Sequence, residues 1–159
     1  MTTNPKLTPA QAHTFLCNIT DAHDLLSRLL MGEADNQSPR GKLAVAWVVM
    51  NRARIGGWFG RGFTGSAGVI LKPWQFSCFN EENNPSLPRL VAAEPSTECK
   101  TVAALALGGH TADPTGGATY YYAPKSMKPP GSHPRWESEK VFLIQIDDQR
   151  FYRDKRKGE

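Results

Sequence analysis

The chain predicts an α+β fold, mainly α, with helices packed around one central buried helix and a small antiparallel β element late in the sequence. Three observations carry that reading. Leu25, Leu26, Leu29 and Leu30 recur at i, i+1, i+4 and i+5, which lines one side of a helix. Leu43 to Met50 is apolar nearly all round, the pattern of a helix enclosed by others. Val141-Phe-Leu-Ile-Gln-Ile146 and Phe151-Tyr152 are β-prone runs joined by the turn residues Asp147-Asp148.

The elements follow in order. Thr8-Pro9 is an N-cap followed by proline at the first helical position. The helix it opens reaches about Asn18, with Ala12, Phe15, Leu16 and Ile19 inward. Thr20 or Asp21 caps the second helix, which ends near Ala34. Asp35 to Gly41 is a loop, and Ser38-Pro39 repeats the cap-plus-proline signal. The central helix runs from there to about Arg54. Its valines also permit a strand, but its alanines and its cap favour a helix. Gly56 to Gly68, rich in glycine and aromatics, reads as a loop over the core. Val69 to Leu71 is a short helix or extended piece, Trp74 to Phe79 an ordered patch, and Asn80 to Pro88 a polar loop. Pro95 to Glu98 opens a further helix with Val102, Ala103, Leu105, Ala106 and Leu107 inside, closed by Gly108-Gly109. Asp113 to Gly117 is a turn cluster, Ala118 to Tyr122 an extended segment, and Pro124 to Pro134 a loop. No repeat or domain boundary interrupts the pattern, so residues 1–159 read as one domain with a basic tail at 153–159.

Composition narrows the function. A chain of 159 residues with 40% hydrophobic content can bury a core without disulfide staples. The net charge of +4 favours anionic partners, which include nucleic acid, an anionic membrane surface and an acidic wall polymer. Cys17, Cys78 and Cys99 are odd in number and widely spaced, which argues against a disulfide framework or a zinc ribbon and for reduced thiols. His13, His23, His110 and His133 are too scattered for a metal site, so no metal and no cofactor is expected. Met1 to Leu7 lacks the apolar core of a secretory signal, and no apolar run approaches the ~20 residues of a membrane span. The protein is expected to stay where it is made until something releases it, without inserting in a membrane.

Glu33 is the first candidate for chemistry. It closes the leucine stripe between Met31-Gly32 and Ala34, with no neighbouring cation in sequence. An acid at the rim of an apolar face can be desolvated and hold its proton near neutrality, as glycosidic bond cleavage requires. From spacing alone it reads more readily as a solvated acid in a helix's last turn. Sugars stack on aromatic rings and bond through their hydroxyls. Trp74, Gln75, Tyr120, Tyr121, Tyr122 and Trp136 supply both functions from loops and an extended segment. Alternation along that segment points Tyr120 and Tyr122 one way and Tyr121 the other, one face core and the other cleft. Ordinary packing explains any one of these residues as well. A cysteine nucleophile, Cys78 or Cys99 with His110 or His133, lacks a local signature. The glycines at 56–68 have no Gly-Lys-Ser/Thr for a phosphate loop.

Taken together, these pieces resemble the SleB/CwlJ-type cell wall hydrolases, the spore cortex-lytic family. The resemblance runs from about Asp24 to Tyr152. It rests on Leu29-Leu-Met-Gly-Glu-Ala34, Gly41-Lys-Leu-Ala-Val-Ala-Trp-Val-Val-Met-Asn-Arg52, Val69-Ile70, Gln75-Phe-Ser77, Ala104-Leu-Ala-Leu-Gly-Gly109, Asp113-Pro-Thr-Gly-Gly-Ala118 and the tyrosine run. It implies a lysozyme-like catalytic domain that cleaves the MurNAc–GlcNAc β-1,4 bond of peptidoglycan as a lytic transglycosylase, with Glu33 as general acid. It implies a glycan groove that includes Gln75 and the tyrosine segment; Ser77, Tyr120, Tyr122, Trp74 and Trp136 are the further substrate-binding candidates. Two departures stand out. The Gly-Asn-His that often precedes the Phe-Tyr pair is Asp148-Gln149-Arg150 here, and the Arg-Gly-Glu that usually follows Gly-Glu-Ala is Asp35-Asn-Gln37. A hydrolytic muramidase using the same Glu33 is the alternative, with Asp35, Glu81 or Asp113 as second carboxylate. A non-catalytic wall-binding or nucleic-acid-binding module is the more distant one. Because no signal or wall-binding repeat is seen, the chain looks like a bacteriophage endolysin. Such a protein is expected to be a monomer, held in the host cytoplasm until a holin opens its way to the wall, with peptidoglycan and not nucleic acid as partner.

Overall fold

In the computed structural model, residues 7–19, 21–60, 65–72, 76–80, 84 and 86–159 are described. Helix α1 (Pro9–Cys17) starts at Thr8, whose hydroxyl accepts from the Gln11 N–H while the Gln11 side chain returns to the Thr8 N–H. Ala12 and Leu16 are buried as expected, but Phe15 is 50% exposed because α1 offers only a narrow face to its neighbours. Asp21 caps α2 (Ala22–Ala34) through the His23 N–H. The other candidate cap, Thr20, lies outside the described residues. Leu25, Leu26, Leu29 and Leu30 are fully buried.

Ser38 caps α3 (Pro39–Ile55), where Ala44, Val45, Ala46, Val48 and Val49 have no exposed surface. α3 packs on α2, on α4 (Gly65–Leu71) and on α6 (Thr97–Leu107), and is the central helix the sequence predicts. Two stretches are more helical than expected. Residues 65–71 form α4, where Gly68, Val69 and Ile70 are buried. Leu87–Ala92 forms α5, too short for a periodic signal but pinned by the buried Leu87, Leu90 and Val91. In α6, Leu105, expected inside, is 38% exposed on the solvent side.

The sheet is antiparallel, ordered β1 (Tyr120–Tyr122), β3 (Gln149–Asp154), β2 (Lys140–Ile146). Tyr120, Tyr121 and Tyr122 face Tyr152, Phe151 and Arg150 in turn. A bulge between Phe142 and Ile144 adjusts β2 to β3. The whole is mainly α with a small sheet.

Three polar clips hold the pieces that matter for the site. The Arg28 guanidinium donates to the carbonyls of Leu90, Val91 and Ala93 (3.2, 2.8 and 2.9 Å), closing the end of α5 onto α2. The buried Lys42 ammonium donates to the carbonyls of Asp35 and Gln37 and pairs with Glu98, closing the end of α2. The β2–β3 turn is tied to the same place. Asp147, at φ 49°, accepts from the Ser38 N–H (2.8 Å) and hydroxyl (2.6 Å). Next to it the Asp148 N–H donates to Gln37. Gly41 leaves room for this docking, since a Cβ there would lie 2.4 Å from Asp147 Oδ2.

Candidate active site

Glu33 stands one residue from the end of α2, half-buried, with its carboxylate directed at three donors from distant segments. The Cys78 N–H (2.9 Å) and the Ser77 hydroxyl (3.1 Å) donate to Oε1, and the Tyr121 hydroxyl (2.9 Å) donates to Oε2. Ser77 and Cys78 belong to the 3-10 turn Ser77–Phe79, which rests on α2. That turn approaches closely because position 32 is glycine. A Cβ on Gly32 would lie 2.8 Å from both Cβ and Sγ of Cys78. The Gly-Glu pair is thus one device, in which the glycine admits the turn and the turn's N–H meets the acid.

Tyr121 reaches Glu33 because β1 alternates. Its ring stacks on Phe151 at 5.7 Å, facing the core, and its hydroxyl emerges at the acid. Burial and the neighbouring Glu33 carboxylate push the Tyr121 phenol well above its ordinary value, so it remains a neutral donor. Burial and the same carboxylate also raise the Cys78 thiol. Gln149, at the start of β3, donates from Nε2 to the Glu33 backbone carbonyl (3.3 Å) and is itself buried.

Gly32, Glu33, Ser77, Tyr121 and Gln149 line a cleft of about 420 Å³, with Arg52, Phe76 and Asn80 among its walls. Arg52, at the end of α3, donates to the Thr119 carbonyl (2.7 Å) and lies near the rings of Phe76 (4.9 Å) and Phe59 (5.4 Å). Burial lowers it from its ordinary value, opposed by Tyr121, Tyr120 and Glu33. Glu33 therefore does not sit against bare hydrocarbon, as its sequence neighbours suggested. Its cradle is polar, because the donors arrive from residues 44 and 88 positions away.

The other candidates distribute as follows. Ser77 lines the cleft with Glu33, and Tyr122 borders it while its hydroxyl turns to Glu137 on the other face of β1. Tyr120 and Trp136 do not line the cleft; their rings meet each other at 5.3 Å on the other face of β1. Trp74, Gln75 and Glu81 lie outside the described residues. Asp113 accepts from Thr115, Asn51 and Gly117 and is consumed in shaping its own turn. Asp35 lines a neighbouring cavity. The residues that sequence reasoning passed over are the Cys78 N–H, Arg52, Tyr121 as the cleft-facing tyrosine, and Gln149. Alternation separated Tyr121 from its neighbours, and the expected groove residues were Tyr120 and Tyr122, whereas the Tyr121 hydroxyl is the one that reaches Glu33. The departure at Asp148-Gln149-Arg150 marked the right segment.

The opposite face of β1 carries a second cluster. Glu137 accepts from the hydroxyls of Tyr122 (3.1 Å) and Tyr152, and pairs with His133 Nδ1 (2.6 Å). Burial opposes its charge, but the hydroxyl bonds and the charges of His133 and Arg150 hold its carboxyl below the ordinary value. Trp136 packs edge-on against Tyr122 (5.9 Å) and Tyr152 (5.4 Å) in the same cluster.

Among the described residues, no helix is long and apolar enough to cross a membrane. No curated protein matches the chain. Two solved structures do. The catalytic domain of the germination-specific lytic transglycosylase SleB from Bacillus anthracis superposes with a TM-score of 0.66 at 22% identity, over 85% of this chain and 96% of that one. The catalytic domain of the Bacillus cereus SleB protein does so with a TM-score of 0.63 at 23% identity, over 86% and 94%. At these identities the likeness shows the fold, the α+β, mainly helical arrangement described above. Residues 36–152 match the family described as Cell Wall Hydrolase, a range that starts just after Glu33 and takes in both the cleft wall and the clipping turn. With most of its length inside that match, the chain belongs to the cell wall hydrolase family.

Proposed function

We propose that this chain is a peptidoglycan glycosidase that cleaves the MurNAc–GlcNAc β-1,4 bond, with Glu33 as general acid and then base. The observation that carries the reading is the three-donor cradle of Glu33 inside a cleft. The cradle supports one place for the acid's proton. The Cys78 N–H can only donate, so Oε1 remains the acceptor in either protonation state. Oε2 faces a hydroxyl that can turn to accept, and is the oxygen that carries the proton. From there the proton passes to the glycosidic oxygen as the C1–O bond breaks and C1 becomes oxocarbenium-like.

Among the described residues that line this cleft, Glu33 is the carboxylate. That supports the lytic route, in which the ionised Glu33 takes the proton of the MurNAc C6 hydroxyl while its oxygen closes on C1, leaving a 1,6-anhydro end. A hydrolase usually sets a second carboxylate about 5–9 Å away. The SleB relatives, one named a lytic transglycosylase, point the same way.

Glu33→Gln preserves the shape and removes the proton. It is expected to lower the rate of fragment release from sacculi by ~10²–10⁴-fold with the thermal melt unchanged. A variant that still clears permeabilised cells at the normal rate removes Glu33 from the mechanism. Mass spectrometry of the products reads the route, with anhydro ends expected and reducing ends refuting it. Sacculus binding without soluble fragments would instead mark a wall-binding module. The endolysin role rests on the resemblance alone, and co-expression with a holin tests it by whether lysis follows.

A further inference from the structure

A second cavity, of about 380 Å³, adjoins the cleft that holds Glu33. Gly32 lines both, and of the adjacent residues Ser77 and Cys78 the first lines the cleft and the second the cavity. One glycine and one peptide step separate them. The cavity floor includes Met31 and Leu90, and two charged side chains stand at its wall, Arg89 from α5 and Asp35 after α2. Most arginines near the site are already engaged. Arg28 holds three carbonyls, Arg52 holds Thr119, and Arg150 lies over Phe142. Arg89 is exposed and makes no hydrogen bond or ion pair among the described residues. Among the described residues the Asp35 carboxylate meets the Cys99 thiol alone, at 3.9 Å. The α5 backbone that carries Arg89 is held on α2 by the Arg28 clip, at the wall of the cavity next to the cleft.

The substrate proposed above supplies a group of matching chemistry. The muramyl residue whose C1–O bond breaks carries a peptide arm on its lactyl ether, at C3 of the same ring. Within its second residue that arm presents a free carboxylate, and its third residue is a diamino acid. At roughly 3.3–3.6 Å of chain per residue, two residues span about 7 Å, the scale of a step across one glycine. We propose that the second cavity receives the peptide arm of the muramyl residue, with Arg89 binding its carboxylate. Guanidinium and carboxylate match as a planar fork, and Asp35 offers the opposite charge for the arm's amine. Gly32 then has a second use, since a side chain there would stand between the two cavities.

This inference rests on the glycosidase reading, and the test separates the two. Fragment release is measured on peptide-bearing glycan strands and on the same strands stripped of peptide by an amidase. The wild type is expected to favour the peptide-bearing strands. Arg89→Ala should lower kcat/KM on those strands by about 10- to 100-fold, the range of a hydrogen bond to a charged group, and leave stripped strands unchanged. Arg89→Lys should keep part of the preference. Equal loss on both substrates would mean a structural role for Arg89 and would overturn the proposal, as would no loss on either. A wild type that releases nothing from either substrate removes the glycosidase reading itself, and this inference with it.

Discussion

Gly32→Ala is the sharpest perturbation of the site, because one added methyl group acts on both the fold and the acid. The new Cβ would lie 2.8 Å from Cys78 Cβ and Sγ and 3.3 Å from Leu90 Cδ2. Carbon contacts settle near 3.5–4.0 Å, so the Ser77–Cys78 turn must retreat by about 1 Å. Overpacking of this kind costs about 1–3 kcal/mol, and replacing a helical glycine by alanine returns about 1 kcal/mol. The net destabilisation is therefore about 0–2 kcal/mol, or up to about 8 °C in Tm for a chain of this size, and the protein still folds.

The effect on the acid is larger. The Cys78 N–H lies 2.9 Å from Glu33 Oε1. A 1 Å retreat carries it to about 3.9 Å, beyond hydrogen-bond range. A misplacement of about 1 Å can cost ~10²-fold in rate. A turbidity assay on permeabilised cells, beside a thermal melt, measures both numbers. Cys78→Gly in the same chain removes both clashing Cys78 atoms and should restore much of the activity. Cys78→Ala leaves the Cβ clash and should restore little. Full activity in Gly32→Ala alone would refute the reasoning, because the close approach would then not be what presents the N–H to the acid.

The remaining predictions use the same assays. Tyr121→Phe keeps the ring on Phe151 and removes the donor to Oε2, so kcat should fall about 10- to 100-fold with Tm nearly unchanged. Gln149→Ala frees the Glu33 carbonyl and the end of α2; on soluble glycan fragments kcat should fall about 10-fold while KM holds, and a KM effect alone would make Gln149 a binding residue. Glu137→Gln should lower Tm by about 3–6 °C at neutral pH, since it weakens hydrogen bonds to a charged group. Its carboxyl is held below the ordinary value of 4.5, so the stability it adds is present above that pH and is lost as pH falls through the lower folded value. The variant should therefore show a flatter acid limb in a Tm-against-pH series.

What the sequence disclosed, and what it hid, follows the range of the interactions. The leucine stripe, the apolar run of α3, the caps at Thr8 and Ser38 and the hairpin at Asp147-Asp148 are local signals, and each element stands where its signal places it. α5 and Leu105 were not legible, because a six-residue helix has too few turns to show a period and the facing of α6 is set by its packing partners. The same divide runs through the site. Glu33 could be singled out by its place at the end of a greasy face, but its surroundings could not. Ser77, Cys78 and Tyr121 come from 44, 45 and 88 residues away.

The short strand β1 explains how one tyrosine run serves two purposes. On one face Tyr121 and its partner Phe151 bind the sheet to the core and deliver a hydroxyl to Glu33. On the other, Tyr120 and Tyr122 enter the aromatic cluster of Trp136 and Tyr152, where Glu137 collects the hydroxyls of Tyr122 and Tyr152. Glu137 is thus an acid with at least as many partners as Glu33, on the other face of the strand. A carboxylate held there anchors the segment after Ser126 to the sheet but stays out of the cleft's lining. Sliding β1 by one residue would exchange the two faces and give Glu33 a neighbour from the wrong side. The register of Tyr121 opposite Phe151 is therefore as much a part of the acid's environment as the three donors that touch it.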